Sequence, residues 1–275
     1  MANISHITNS TSYKLNNLLI NQKPQRPYLG ASSIGKECAR QLWYGFHWTS
    51  ERLPISGRTK RIFDMGHIAE SLITDHLARI GVKVWADQEE VTGFFGHALG
   101  HIDGRAIGFP EFPDLECLAE FKSAKASYFK EMFEIGCFRS TPVYYDQQQY
   151  YMGKTKLTKS FFCMINKDTS NIYIEFIDFD KGYYEDLLRK ERGIITSEKP
   201  PHKHFVSDYY KCEWCVHNDV CHNSYEPQKN CRTCAHSDIE EEGKWSCNLK
   251  KTKSRNLPVA EQRTGCDKWR KGWEL

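Results

Sequence analysis

The chain has 275 residues, and its 38 Lys and Arg against 35 Asp and Glu give a formal net charge of only +3. This length is enough for one large domain, or for one domain with a small appendage. The near balance of charge does not by itself indicate a nucleic-acid-binding protein, so local patches must carry that inference. The charged and apolar fractions, 27% and 40%, argue against extensive disorder.

The first residues predict a leader without a targeting signal. MANISHITNSTSYKLNNLLI is polar and holds only a three-residue apolar run, which fits neither a signal peptide nor a membrane span. We therefore expect a cytoplasmic protein with no membrane partner. Residues 1–27 should form a partly ordered leader that closes at Pro24 and Pro27.

Two helices are predicted next. The first begins after Ser32 or Ser33 and runs through IGKECARQLWYGF, where the four-residue spacing of Ile34, Cys38 and Leu42 would turn Cys38 inward. The second is expected from about Lys60 to Ile80. Its predicted apolar stripe comprises Met65, Ala69, Leu72, Ile73, Leu77 and Ile80, and His76 falls on it as a core residue.

Strands and helices then alternate. VKVWADQEEV and FFGHALGHIDGRAI predict two or three antiparallel strands, LECLAEFKS one more, and SFFCMIN with NIYIEFIDF a hairpin. Helices are expected over 125–135, 144–155 and 180–195, and Pro200 with Pro201 marks a boundary. The pattern predicts an α/β fold with a central mixed β-sheet flanked by helices, followed by a small cysteine-rich C-terminal metal-binding region.

The stretch around residues 100–122 carries the most chemistry. In a strand, alternate side chains share a face, so Glu120 and Lys122 should point together while Ala119 and Phe121 point away. If the neighbouring stretch is also a strand, Asp103 joins them. Two carboxylates can hold Mg²⁺ or Mn²⁺, since both ions prefer oxygen ligands.

The order of these residues resembles the PD-(D/E)XK nuclease superfamily, and more narrowly its RecB-type iron-sulfur exonucleases, which include CRISPR-adaptation and phage exonucleases. The resemblance covers about residues 30–225. It rests on Arg61, Gly66, His67 and Glu70 in one helix, then on Gly-His-Ile-Asp-Gly, Ala-Glu-Phe-Lys-Ser, and Gln147 four residues before Tyr151. It implies a restriction-endonuclease-like core and a bacterial or phage-infected cell.

The resemblance also implies residue roles. Asp103, Glu120 and His67 would ligate the cation, and Lys122 would position the attacking water and stabilise charge on the phosphate. Gln147 and Tyr151 would support the active site and contact the DNA backbone, although Gln148 and Gln149 leave the register open. The proline that usually precedes the first acid is missing, and a proline-rich insertion leaves Asp114 and Glu116 as competing ligands.

Eleven cysteines in a reducing compartment argue for metal or cluster ligation over disulfides. Cys117, Cys137 and Cys163 sit singly in apolar context and are expected in the core. Cys212, Cys215 and Cys221 form a three-ligand clip, for which Cys38 can supply the fourth thiol; the resemblance implies a [4Fe-4S] cluster there, and zinc is the alternative.

The remaining four thiols, Cys231, Cys234, Cys247 and Cys266, predict a Cys₄ zinc site, with His222 and His236 as alternative ligands. The expected organisation is therefore a leader over 1–27, a nuclease domain over 28–225 closed by the four-cysteine cluster, and a zinc-binding tail over 226–275.

Basic residues on both sides of the acidic centre are candidate DNA contacts. They comprise Lys122, Lys125, Lys130, Lys154, Lys156 and Lys159, with tyrosines between them that could stack on bases, and a second run of Lys250, Lys251, Lys253 and Arg255 in the tail. The sequence thus predicts a metal-dependent DNA exonuclease, with DNA ends or single strands as substrate and recombination, replication or repair proteins as further partners. The alternative is a non-catalytic DNA-binding or scaffolding protein.

Overall fold

A computed structural model describes residues 9–21, 23–249 and 256–273. Its twelve strands, numbered in chain order, are β1 Leu19–Ile20, β2 Leu29–Gly30, β3 Ile55–Ser56, β4 Lys83–Trp85, β5 Glu90–Thr92, β6 Ala98–His101, β7 Gly104–Ile107, β8 Cys117–Ala124, β9 Lys159–Asn166, β10 Ile172–Asp178, β11 Ser237–Ile239 and β12 Trp245–Cys247. These counts refer to the described ranges.

The nine α-helices of the same ranges are α1 Thr11–Asn16, α2 Ala39–Phe46, α3 Gly57–Arg79, α4 Ala126–Ser140, α5 Pro142–Thr155, α6 Lys181–Thr196, α7 Tyr210–Glu213, α8 Asn218–His222 and α9 Val259–Thr264. Short 3₁₀ turns lie at Ala31–Ser33, Phe94–Gly96 and Cys231–Thr233. No helix within the described ranges is long and apolar enough to cross a membrane.

The central sheet is mixed and has five strands in the order β10-β9-β8-β7-β4. Only β8 and β9 run parallel, and the chain between them forms α4 and α5, as a parallel connection requires. The β9–β10 hairpin pairs in register from Ile172 opposite Ile165 to Asp178 opposite Lys159. The predicted mixed sheet flanked by helices and the predicted hairpin are confirmed.

A second, three-stranded sheet in the order β2-β6-β5 lies beside the central one. Strand β6 belongs to the small sheet and β7 to the large sheet, and only Ile102 and Asp103 separate them. The predicted two or three strands here are therefore four, divided between two sheets. Asp103 lies where the chain crosses from one sheet to the other, immediately before β7 pairs with β8.

The core has two apolar clusters, one on each face of the central sheet. Cys137 belongs to the larger cluster and Cys117 and Cys163 to the smaller one, and each thiol is buried. The predicted core placement of these three cysteines is confirmed. The burial of β8 on both faces fits a strand with near-continuous apolar residues.

The two first predicted helices differ from the observed ones. Helix α2 starts at Ala39, and Cys38 is its N-cap, whose sulfur accepts a hydrogen bond from the Gln41 amide. The expectation that Cys38 faces the core on a helix starting at residue 34 is wrong. A 3₁₀ turn over Ala31–Ser33 takes the place of the first helical turns.

Helix α3 buries a narrower stripe than its periodicity predicts. Ala69, Ile73 and Leu77 are buried, because this row faces the smaller cluster. The expected burial of Met65, Leu72, Ile80 and His76 is wrong: all four are exposed. Ile80 is exposed because it is the C-cap residue, one position beyond the last residue of α3.

The C-terminal segment shares the main core. Trp245, Leu257 and Trp273 are buried in the larger cluster, and the Trp273 ring meets Trp43 edge-on at 4.7 Å. Arg232 is also buried, and its guanidinium lies 4.0 Å from the Trp48 ring centre and 4.7 Å from that of Trp245. The tail is therefore packed against the α2 region by aromatic contacts.

Candidate active site

The acidic centre forms where β8 passes the crossing at Asp103. The Oδ2 atom of Asp103 accepts a hydrogen bond from the Phe121 amide at 2.9 Å, which fixes its carboxylate against β8. The Lys122 ammonium contacts Glu120 Oε1 and lies 3.9 Å from Asp103 Oδ2. The strand alternation predicted from the sequence therefore brings Asp103, Glu120 and Lys122 together.

Glu120 is the most constrained member of this group. Its side chain is 0% exposed, and Oε2 has no hydrogen-bond partner within the described part of the chain. Burial, with Asp103 next to it, raises the pKa of Glu120 to about 8. A buried carboxylate oxygen with no donor is energetically costly, so the centre has the capacity to bind a cation.

Helix α5 places three successive glutamines in three environments. Gln147 Nε2 donates to Glu120 Oε1 at 2.8 Å. Gln148 bonds the Ser160 hydroxyl at 2.6 Å, and Gln149 bonds the backbone of Asp178 and Asp180 at 2.8 Å each. In the structure Gln147 faces the acidic centre, whereas Gln148 joins α5 to β9 and Gln149 joins it to the end of β10.

Helix α3 brings His67 and Glu70 toward the centre from the opposite side. His67 is 81% exposed, and its Nδ1 lies 3.9 Å from Glu70 Oε2. Burial, and then the charge of Asp103, raises the pKa of the Glu70 carboxyl. Glu70 therefore interacts electrostatically with Asp103, whereas His67 is exposed and pairs with Glu70.

Glu70 is the functional candidate that the sequence reasoning left out of the site. Its position three residues after His67, on the same helix face, was the available signal. The carboxylate of Glu116, one of the two competing acids, accepts a hydrogen bond from the Arg105 guanidinium at 2.7 Å and is therefore already in an ion pair. Asp114 lies exposed in the loop before β8.

The predicted iron-sulfur thiols come together across the chain. Cys38, Cys212, Cys215 and Cys221 line one small cavity, together with Arg40, His217 and His222. Burial and then the charges of Cys215, Cys221 and Cys38 raise the pKa of the Cys212 thiol. In the lining of this cavity, Gln41 Nε2 donates a hydrogen bond to the Cys215 sulfur at 3.6 Å.

The second cysteine set also forms one group. Burial raises the pKa of Cys231 to about 11, and the next contributions come from Cys234, Cys247 and Cys266. Cys231 begins a 3₁₀ turn capped by the Asn230 side chain, Cys247 ends β12, and Cys266 follows α9. Three separate elements thus carry these thiols to one place.

No group of three or more His, Cys, Asp or Glu side chains in the described ranges lies at the distances of a formed metal site. Within each of the three sets, the side chains lie near one another without reaching metal-ligand distances. Metal binding at all three places therefore stays a prediction.

The predicted DNA contacts differ in accessibility. Lys125 is exposed with its ammonium 4.9 Å from the Tyr128 ring centre, and Lys154 lies 5.2 Å from that of Tyr150. Tyr151 is 1% exposed, and burial, followed by the charges of Glu120 and Asp103, raises its hydroxyl pKa. Lys250, Lys251, Lys253 and Arg255 lie outside the described residues.

No protein-family model matches the chain, and no curated protein matches it. Solved structures with similarity include a protein designated SSO0001, at 13% identity and a TM-score of 0.44, covering 74% of this chain and 89% of that one. An alkaline exonuclease from Laribacter hongkongensis has 14% identity and a TM-score of 0.47, covering 62% and 87%. Its complex with dAMP has 13% identity and a TM-score of 0.43, covering 61% and 86%.

Every one of these TM-scores is below 0.5 and every identity is below 25%. At this level the similarities assign neither a family nor an activity to the chain. The functional inference therefore depends on the residues of the acidic centre.

Proposed function

We propose that the chain is a Mg²⁺- or Mn²⁺-dependent deoxyribonuclease that hydrolyses phosphodiester bonds, as an exonuclease on DNA ends or single strands. The observation that supports this most is the buried Glu120, which has an unpartnered Oε2 and is held beside Asp103, Lys122 and Gln147. Two neighbouring carboxylates, one of them buried with an unsatisfied oxygen, suit a hard divalent cation.

Asp103 and Glu120 would hold the cation, with Glu70 and His67 as further donors on α3. When bound, the cation would supply Lewis acidity toward a phosphate oxygen and a water. The Lys122 ammonium, whose pKa is raised by the two carboxylates against the opposing effect of burial, stays protonated and can stabilise negative charge that develops on the phosphate. Gln147 fixes the orientation of the Glu120 carboxylate by donating to Oε1.

The test is cleavage of end-labelled single- and double-stranded DNA with Mg²⁺ or Mn²⁺. Glu120→Ala and Lys122→Ala should each lower the rate by about a hundredfold or more, as expected when a charge-stabilising group is removed. The matched control is Glu185→Gln, which replaces an exposed carboxylate on α6 that is 3.8 Å from the Lys181 ammonium. Unchanged rates in both centre variants would remove the assigned site, and DNA binding without cleavage under all metals would favour the scaffolding alternative.

We propose a [4Fe-4S] cluster on Cys38, Cys212, Cys215 and Cys221. Their common cavity and the thiolate chemistry support it. Protein purified without oxygen should be brown, contain about four irons per chain, and lose the visible absorption in Cys38→Ser. The control is Cys163→Ser, a buried core thiol away from the cavity. A colourless protein that holds zinc at these thiols would overturn the iron assignment.

We propose a Cys₄ zinc site on Cys231, Cys234, Cys247 and Cys266 in the tail. The proximity of the four thiols supports it: Cys234, Cys247 and Cys266 all contribute to the raised pKa of Cys231, and four thiolates are a common ligand set for zinc. Elemental analysis should give one zinc per chain that Cys234→Ser abolishes while iron is retained. Zinc content that is unchanged in Cys234→Ser and in Cys266→Ser would reject this site.

A further inference from the structure

Helix α5 presents a second side chain to the acidic centre besides Gln147. Tyr144 lies three residues before Gln147, so the two side chains share a face of the helix. The Lys122 ammonium lies over the Tyr144 ring, 5.3 Å from its centre, which is within the range of a cation–π contact. The acidic centre therefore has an aromatic wall beside its lysine.

The Tyr144 ring is partly buried and is backed by the core. It lies 6.3 Å from the ring of Phe162, which is fully buried and pairs with Glu120 in the register of β8 and β9. The Tyr144 carbonyl accepts a hydrogen bond from Gln148 Nε2 at 3.1 Å, whereas the Tyr144 hydroxyl has no hydrogen-bond partner within the described ranges. The contact of this side chain with the centre is thus made by its ring.

The other partners of the Lys122 ammonium are oxygens. It contacts Glu120 Oε1, lies 3.9 Å from Asp103 Oδ2 and donates to the Phe121 carbonyl at 3.3 Å. Both carboxylates are proposed ligands of the cation. Once they are shared with a divalent cation, they attract the ammonium less, and the cation itself repels it. The Tyr144 ring is not a ligand, so its attraction for the ammonium remains.

We infer that Tyr144 is a positioning residue, whose ring holds the Lys122 ammonium at the acidic centre and continues to do so when a cation occupies both carboxylates. This inference rests on the proposed nuclease function, to which it adds a residue that acts through Lys122 and not on the DNA directly. Tyr144 differs in this respect from Tyr128, which is exposed beside Lys125 and presents its ring to solvent.

The contact can be measured without catalysis, by NMR of protein labelled with ¹³C at the lysine ε-carbons. The Lys122 signal, assigned with Lys122→Arg, should be shifted upfield by the ring current of Tyr144, both in EDTA and with saturating Mg²⁺. Tyr144→Phe should retain this shift because the ring remains, and Tyr144→Leu should lose it. The matched control is Tyr145→Leu. Tyr145 is also partly buried on α5, but its ring packs against Phe138 at 4.9 Å and Tyr183 at 5.2 Å.

Cleavage of single-stranded DNA with Mg²⁺ tests the consequence for the rate. Tyr144→Leu should lower kcat by about three- to thirtyfold with little change in KM, which is the loss expected for one cation–π contact. Tyr144→Phe should keep most of the wild-type rate. In a Lys122→Ala background, Tyr144→Leu should have no further effect, because no ammonium is left to position. A residue that only stabilises the fold would not show this coupling.

A Lys122 signal at its wild-type position in Tyr144→Leu would overturn the inference, and so would additive losses of rate in the double variant. An equal loss of rate in Tyr144→Phe and Tyr144→Leu would also overturn it, because the role would then belong to the hydroxyl. Failure of the proposed nuclease function gives a different result. In that case the Lys122 signal depends on Tyr144 as expected, while the wild-type protein cleaves DNA with neither Mg²⁺ nor Mn²⁺.

Discussion

Glu120 combines full burial with a raised pKa, and this has a consequence for stability that does not depend on activity. Its pKa is about 8 in the folded protein against an ordinary value of 4.5, so between these two pH values the folded state retains a proton that the unfolded state releases. The free energy of unfolding contributed by this group is therefore largest below pH 4.5 and is lost as the pH rises through 8.

We expect Glu120→Gln to remove this loss. Thermal unfolding in EDTA should show the melting temperature of the variant rising relative to wild type between pH 5 and pH 8.5, since glutamine has no proton to lose. Glu185→Gln should show no such change, because its carboxylate is exposed. Parallel melting curves for wild type and Glu120→Gln across this pH range would contradict the raised pKa.

Gln147 and Gln148 give a second comparison at the residue scale. Gln147→Ala should weaken metal-dependent activity and raise the metal concentration that half-maximal activity requires, because Glu120 loses the donor that orients it. Gln148→Ala should instead lower the melting temperature, because the buried Ser160 hydroxyl loses its closer acceptor and keeps only the Leu118 carbonyl at 3.4 Å among the described residues. Activity assays with metal titration, together with thermal unfolding, separate the two. Equal effects of both changes on the metal requirement would contradict the separate roles.

The residues of the acidic centre were predictable because strand alternation fixes faces within one element. Glu120 and Lys122 share a face by that rule alone, and a buried Ala119 confirms the opposite face. Gln147 was assigned through the resemblance, because helical periodicity alone does not say which of three successive glutamines faces the centre. The position of Glu70 near the acidic centre depends on how α3 packs on β8. Local sequence does not determine this packing.

At the scale of elements, the turn between the antiparallel strands β11 and β12 contacts the Phe94–Gly96 turn through backbone atoms. Gly96 has φ +76°, and a Cβ on it would lie 2.8 Å from the Gly243 nitrogen. The Gly243 amide donates to the Phe95 carbonyl at 2.7 Å, and Glu242 and Gly243 also have positive φ. Two left-handed turns are thus packed against each other without space for a side chain.

Gly96→Ala should therefore destabilise the protein, by about 1–2 kcal/mol from the left-handed backbone alone and by more from the steric overlap. Gly193→Ala is the matched control, because Gly193 lies inside α6 with nothing within 4 Å of an added Cβ. That change should stabilise the protein by about 1 kcal/mol, owing to helix propensity. Urea unfolding measures both values, and a neutral Gly96→Ala would show that the contact between the turns can relax.

Element boundaries illustrate where sequence patterns fail. The periodicity of α3 predicted its existence correctly, yet Met65 and Leu72 are exposed because only the row through Ala69, Ile73 and Leu77 meets the sheet. Helix α2 began later than predicted because Cys38 caps it. Hydrophobic spacing predicts that a helix forms, whereas the element packed against the helix determines how wide its buried face is.

At the scale of the whole molecule, Arg232 joins the tail to the leader and to α2. Its guanidinium donates to the carbonyls of Phe46 at 3.0 Å and Pro27 at 2.8 Å, and to Gln262 at 2.8 Å. Burial lowers its pKa to about 9. Removing this side chain takes a donor from two backbone carbonyls and one amide oxygen.

Arg232→Met should consequently cost about 3 kcal/mol or more, since each buried acceptor left without a donor costs about 1–3 kcal/mol. Trp245 and Trp273 belong to the main core, so the variant should unfold in one transition. The changes in tryptophan fluorescence and in far-ultraviolet circular dichroism should coincide. An early separate fluorescence transition would show instead that the tail unfolds on its own.

The three acceptors of Arg232 also set an order of events during synthesis. Pro27 and Phe46 are made 205 and 186 residues before their donor. At about 5–20 residues per second, the ribosome takes roughly 10–40 seconds to bridge such a separation. For that time the Trp48 ring and the carbonyls around it have no partner from the tail. During this time the α2 region lacks its contacts with Arg232, and its aromatic surface is accessible to chaperones.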